Sequence, residues 1–177
     1  MLRGRKIGLR ARQQADVPVL HAELYDDVVT RSRADSRPWW PIAAGSPASP
    51  YAVGQPTADA ACFSVVELGD EELAGEALLW GIDLHNRAAH LGMSLRPAFR
   101  GRGLGTDVVR VLCHYGFTVR GLHRLQLETL SDNVAMIQAA KRCGFALEGT
   151  LRGAAWAHGK FADEVVLGLL ADRWEGG

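Results

Sequence analysis

Cysteine is scarce in this sequence, and its three copies, Cys62, Cys113 and Cys143, lie far apart without C-x-x-C spacing. An odd number at such distances frames neither a disulfide scaffold nor a zinc site, so buried thiols are expected. The six histidines show no H-x-x-x-H or H-E-x-x-H spacing, and no bound metal is expected. An excess of either charge is also missing: 20 basic residues meet 20 acidic ones. Net charge therefore gives no basis for binding nucleic acid or a membrane surface. No apolar run is long enough to cross a membrane, and the opening "MLRGRKIGLRARQQADV" lacks the apolar core of a secretory signal. A soluble, cytoplasmic protein is the expectation. Internal repeats, heptads and collagen-like periods are absent as well.

What is present suits one domain. A chain of 177 residues that is 47% hydrophobic can bury one core and is short for two, so residues 1–177 are expected to form a single domain. Five of the seven prolines, Pro38, Pro41, Pro47, Pro50 and Pro56, crowd one stretch with Gly, Ser and Ala, which predicts a long loop at about 31–60. Trp39 and Trp40 interrupt its polar character and argue that it docks in part.

Around that loop the pattern alternates between two periods. "KIGLRAR", Lys6 to Arg12, reads as an edge-type strand, and Asp16 as the N-cap of a helix carrying Val17, Leu20 and Leu24. "CFSVVEL", "GDEE" and "LAGEALLWGIDL" read as a hairpin from Cys62 to Leu84, followed across "HNRA" by the strand "AHLGMSL", Ala89 to Leu95. Leu104, Val108, Val111, Leu112, Tyr115 and Val119 mark one helical face. "RLQLETL" alternates as a strand, and "SDNVAMIQAAKRCGF" supplies cap residues, a helix and a Gly144 stop. Two late strands, Ala146 to Leu151 and Val165 to Leu170, complete an α+β (mixed α/β) order.

The densest local signal is "LRPAFRGRGLGTDVVRVL", Leu95 to Leu112. Glycines at 101, 103 and 105 let the backbone turn without a Cβ in the way. A helix starting near Leu104 aims its unpaired first N–H groups at that turn, which suits a phosphate. Arg96, Arg100 and Arg102 add positive charge. The loop is not a dinucleotide fingerprint, because the third glycine position counted from Gly101 falls on Thr106. It is not a nucleoside-triphosphate loop, because no Gly-Lys-Ser/Thr follows. What remains is R-x-x-G-x-G at Arg100, Gly103 and Gly105 between a strand and a helix.

Joined to "SDNVAMIQAAKRCGFALEGTLRG" and "HGKFADEVVLGLL", this loop resembles the GNAT superfamily of acyl-coenzyme A-dependent N-acyltransferases, and within it the RimJ/RimL-type ribosomal-protein N-terminal acetyltransferases. The resemblance runs over nearly the whole chain. It implies a central, mostly antiparallel twisted sheet, splayed between its fourth strand (Ala89 to Leu95) and fifth strand (Leu125 to Leu130), with helices on both faces. It further implies acetyl-CoA as acyl donor. Its pantetheine arm would pair with main-chain groups of Met93, Ser94 and Leu95, and its pyrophosphate would lie in Arg100, Gly101, Arg102, Gly103, Leu104, Gly105 and Thr106. Asn133 would cap its helix and contact the coenzyme.

Transfer from a thioester to an amine needs a deprotonated amine, a stabilised oxyanion and a proton for the departing sulfur. Where the family commonly places an acid on the fourth strand this chain has His90, which can act as the base. The family's proton donors, a serine three residues after the asparagine or a tyrosine seven after it, are replaced by Met136 and Ala140. Ala154 and Ala155 stand near the late turn where related chains carry a glutamate. Glu128 on the splayed fifth strand is the second candidate base, with Glu76, Asp83, His85 and His158 behind it as solvated side chains. The expected activity is N-acetylation of an N-terminal α-amine of a protein or peptide. The alternatives are a small-molecule amine, another acyl-CoA, or an acyl-CoA binding module without turnover. A polyamine would demand a cluster of carboxylates, and the sequence offers only scattered ones beside Trp39 and Trp40.

Overall fold

The computed structural model describes residues 1–176. Eight strands form one sheet in the order β1-β2-β3-β4-β5-β6-β8-β7. They are β1 (Leu2–Arg3), β2 (Ile7–Ala11), β3 (Ala60–Glu67), β4 (Leu73–Asp83), β5 (Ala88–Leu95), β6 (Arg124–Leu130), β7 (Ala146–Ala157) and β8 (Lys160–Leu170). Every neighbouring pair is antiparallel except β5 and β6. The pair called fourth and fifth from the sequence is therefore β5 and β6 here, because Leu2–Arg3 adds a strand at the start. That short strand also covers β2, so Lys6 to Arg12 is not an edge, and Ile7, Gly8 and Leu9 are all buried.

Helices flank both faces. On one, α3 (Leu104–His114) and α4 (Val134–Arg142) pack Leu104, Val108, Leu112 and Ala140 against Leu79, Leu91, Leu125, Leu127 and Leu167 in a single cluster. The helical stripe holds as far as Leu112. At Tyr115–Val119 the chain widens into a π-helical turn, which shifts the phase and leaves Val119 exposed. On the other face lie α1 (Asp16–Leu20), a π-helical turn (His21–Tyr25) and α2 (Val28–Ala34). A smaller cluster of Val17, Leu20, Leu24, Tyr25 and Tyr51 packs there.

Asp16 does not cap α1. The N-cap is Ala15, without a side-chain hydrogen bond, and Asp16 is buried inside the first turn. Its carboxylate accepts from Arg10 Nη1 (2.6 Å) and Nη2 (2.8 Å), from Gln13 N (2.8 Å) and from Ser64 Oγ (2.7 Å). Burial by itself would raise this carboxyl, but those donors outweigh it and hold Asp16 down to about 2. The residue that sequence reading assigned to a helix end thus bolts α1 to β2 and β3.

The Pro-rich loop starts later than expected, since α2 runs to Ala34, and ends as expected where β3 starts at Ala60. Trp39 docks by its ring on Tyr25, whereas Trp40 is held by its main chain and its ring stays exposed. Trp39 Nε1 donates to Tyr25 O (3.1 Å), and Tyr25 Oη donates to Trp40 O (2.8 Å). The late hairpin is longer than expected, with both strands running to a turn at His158 and Gly159, where φ is positive. Cys113 is buried and Cys143 half-buried, but Cys62 is exposed, because β3 turns it to the face that α3 and α4 leave uncovered.

Candidate active site

The parallel pairing of β5 and β6 is brief. It joins Ala88, Ala89 and His90 to Arg124, Leu125 and Gln126, and then stops. On its other side β5 stays paired to β4 as far as Leu95. From Leu91 to Leu95 one edge of β5, which includes Met93, Ser94 and Leu95, is therefore free to pair with an extended amide-bearing ligand. On its β4 side the same segment is packed closely. A side chain at Gly75 would overlap Ser94 O and lie 2.9 Å from Leu95 Cα, so the end of β5 is drawn tightly onto β4.

β5 leads through Pro97–Phe99 into the glycine loop. Gly101 (φ 73) and Gly103 (φ 78) adopt left-handed backbone that suits glycine, and nothing lies within 4 Å of a Cβ built at Gly101. Gly103 is the N-cap of α3, which carries no side-chain cap, so its first N–H groups are available to an anion. Gly105 lets the helix approach β5, since a Cβ there would sit 2.8 Å from Met93 Cε. Thr106 lies in the same turn, where its carbonyl accepts from Cys143 Sγ (3.4 Å).

The arginines around the loop are less available than expected. Arg96 is bound to Glu23 (2.6 Å) and Glu72 (3.5 Å), and Arg102 to Glu67 (2.7 Å). Arg100 has no carboxylate partner among the described residues and donates from Nε to Leu95 O (2.9 Å). Lys6 is an addition that the sequence did not signal, because it is remote in the chain. Its Nζ donates to Arg102 O (3.4 Å) and lies 3.9 Å from a Cβ built at Gly103. Asn133 caps α4, accepting from Met136 N (3.3 Å), and donates to Thr129 Oγ1 (2.9 Å).

Where β5 and β6 part, the two candidate bases meet. His90 Nδ1 lies 3.0 Å from Glu128 Oε2, and both side chains are half-buried. A carboxylate only accepts, so Nδ1 carries the hydrogen. The imidazole stacks on Trp80, with ring centroids 4.2 Å apart, and Gly81 leaves room for it: a Cβ there would be 3.2 Å from His90 Cδ2. Glu128 Oε1 accepts from Gln126 Nε2 (2.5 Å). The other sequence candidates lie elsewhere. Glu76 is not solvated: it is buried and paired to Arg12 (2.8 Å), although burial still pushes its carboxyl up. Asp83 accepts from the His85 and Asn86 N–H groups in the turn after β4, and His158 sits in the β7–β8 turn. Among the described residues no group of His, Cys, Asp and Glu could hold a metal ion, and no helix is long and apolar enough to cross a membrane.

These features agree with known proteins. The family model described as "Acetyltransferase (GNAT) domain" matches residues 6–146. Spermidine N(1)-acetyltransferase of Escherichia coli K12 is 30% identical over 96 residues, 54% of this chain and 52% of that protein. The first curated relatives are matched over only 52% to 64% of their own length. A structure of spermidine N-acetyltransferase from Vibrio cholerae with CoA and spermine superposes with a TM-score of 0.85 at 21% identity, covering 95% of this chain and 97% of that one. RimL, a ribosomal L7/L12 alpha-N-protein acetyltransferase in complex with CoA, gives 0.77 at 21% identity over 96% of each chain. Those superpositions carry the mixed α/β fold, and the family model spans the parted strands together with the glycine loop, so the chain belongs to the acetyltransferase (GNAT) domain family.

Proposed function

We propose that the protein moves an acetyl group from acetyl-CoA to a primary amine, with the N-terminal α-amine of a peptide or protein as acceptor. The observation that carries this reading is the His90–Glu128 pair at the point where β5 and β6 part, next to the glycine loop. The residues fit the donor. Gly101 and Gly103 turn the loop with positive φ, α3 offers uncapped N–H groups, and the free β5 edge offers main-chain partners. Arg100 to Thr106 would hold the pyrophosphate, and Met93 to Leu95 the amide arm, with Asn133 beside it. When bound, the thioester supplies an activated acyl carbon whose C–S bond breaks as the amine nitrogen bonds to it.

The chain's own part is positioning and proton transfer. The His90–Glu128 pair receives the amine proton, directly or through one water. Met136 and Ala140 carry no transferable proton, and the same pair can return one to the sulfur. N–H groups along the free β5 edge stabilise the oxyanion. The acceptor follows from charge matching on the α1–α2 face. Asp16, Asp35 and Glu76 are each already paired with arginine and Glu128 with His90, which leaves Glu164 as the one acid near the gap without a basic partner among the described residues, too few for a polycation. An α-amine also has a pKa near 8, against about 10.4 for lysine, so it needs less help from a base.

A polyamine acceptor is the second reading. It is favoured by the Escherichia coli relative named for spermidine and by Glu164, a half-buried carboxylate without a basic partner among the described residues. Incubation with acetyl-CoA, peptides and spermidine, followed by mass spectrometry, separates the two. Acetyl groups on peptide N-termini are expected. Acetyl groups on spermidine or on lysine side chains, with N-termini untouched, would overturn the α-amine assignment. No product with any amine would favour a binding module without turnover.

A further inference from the structure

The His90–Glu128 pair continues into a longer hydrogen-bonded chain. Glu128 Oε1 accepts from Gln126 Nε2, and Gln126 Oε1 accepts from Arg124 Nη2 (2.7 Å). Arg124 is in turn gripped by Glu148, with Nη1 2.8 Å from Oε1 and Nη2 on Oε2. Arg124, Gln126 and Glu128 alternate along β6 and so share one face. Glu148 does not belong to that strand. It lies on β7, and β8 runs between the two.

Two local irregularities let Glu148 reach across. Along the β7–β8 pairing, Leu147 faces Leu167 and Gly149 faces Val166, so Glu148 has no partner and is the extra residue of a bulge. Bulges re-aim side chains, and this one sends Glu148 over β8. There it passes above Gly168, where a Cβ would lie 2.6 Å from Glu148 Cδ. Any side chain at 168 would close that path. Gly168 faces Gln126 in the β6–β8 register, so the path ends at the level of the chain it feeds.

The chain has a fixed direction. Arginine only donates and a carboxylate only accepts, so the Gln126 amide between Arg124 and Glu128 has one allowed orientation: oxygen to Arg124, nitrogen to Glu128. Glu128 Oε1 is then held by Gln126, which leaves Oε2 for His90 Nδ1–H. Hydrogen bonding to Arg124 also keeps the Glu148 carboxyl below its usual range, so the anchor stays ionised.

We propose that Glu148, Arg124 and Gln126 are positioning residues that orient Glu128 and hold His90 in its Nδ1–H form, with the bulge at Glu148 and the bare Cα of Gly168 as the route. The link to catalysis rests on the function proposed above, but the orientation itself can be measured without turnover. The test uses Gly168→Ala, which blocks the path, and Gln126→Leu, which removes the amide at similar volume. Imidazole nitrogen shifts of His90 are recorded by 15N NMR on the full chain, beside acetylation kinetics. Wild type should show the Nδ1–H tautomer. Both variants should show a mixture, with kcat lowered on the order of 10-fold, as loss of an outer orienting partner does, and with coenzyme affinity and amine KM unchanged. Should Gly168→Ala fail to fold, Gln126→Leu alone decides. An unchanged tautomer in Gln126→Leu overturns the proposal. A mixed tautomer with undiminished kcat upholds the orienting chain and instead overturns the pair as proton acceptor.

Discussion

The two faces of the sheet do different work with different materials. The face under α3 and α4 is almost wholly apolar, and its functional part, the glycine loop, presents backbone N–H groups. The face under α1 and α2 is stitched by ionic pairs: Arg10–Asp16, Arg12–Glu76, Arg31–Asp35 and, where the strands part, His90–Glu128. An apolar wall with exposed backbone suits a ligand recognised by its phosphates and amides. A wall of oriented polar side chains suits proton transfer. The strands separate between the two, with the glycine loop beyond the end of β5 and His90–Glu128 where the pairing stops.

Substitutions can break this contrast. The largest effect is expected from Leu112→Ala under α3. The side chain is fully buried, and its loss should cost about 2–5 kcal/mol in denaturant titration while the pH dependence of acetylation stays as it was. Next, Arg100→Ala should weaken acetyl-CoA binding by about 10- to 100-fold in calorimetry with little change in Tm, because it removes a charge-assisted hydrogen bond from an exposed residue. If Tm falls instead, the loop is structural and the contrast fails.

Acid should strike the other face. Asp16 is held down to about 2, below an ordinary aspartate near 3.9, so its contribution is complete above that unfolded value and is lost as pH falls through the folded one. About 2 kcal/mol of stability should disappear between roughly pH 5 and pH 2, and Asp16→Asn should flatten that part of a pH–stability profile. The smallest effect is expected for Asn133→Ala. Loss of the α4 cap should cost about 1 kcal/mol of stability in denaturant titration, and a fall in coenzyme affinity, read separately by calorimetry, measures direct contact.

The contrast also explains what could be read from the sequence. The glycine loop is contiguous: Arg100, Gly101, Gly103 and Gly105 act through backbone conformation within one turn, so their spacing carries the signal. β6 alternates cleanly, while β3, β4 and β5 are short apolar runs bounded by turn residues, and all four were legible because the signal is local. The polar face is assembled from strands remote in sequence. His90 and Glu128 could each be named, but their meeting depends on how far β5 stays paired to β6. Glu148 and Gly168 were invisible, because their relation needs both a register and a bulge. Asp16 was misread because a carboxylate just before an apolar stripe has the pattern of a cap, and only the position of Arg10 and Ser64 shows otherwise. Arg96 and Arg102 counted as free charge until Glu23 and Glu67 were seen to hold them.

The irregular β7 has a consequence for self-association. With β1 reduced to two residues, β7 is the long open edge of the sheet, twelve residues that could accept a strand from another molecule. Its register slips at Glu148 and again between Leu151 and Ala155, where Gly153 takes positive φ and its N–H is held by Asp163 (2.8 Å). A regular strand cannot zip along an edge interrupted twice. Straightening β7 would thus turn a protected margin into an aggregation template.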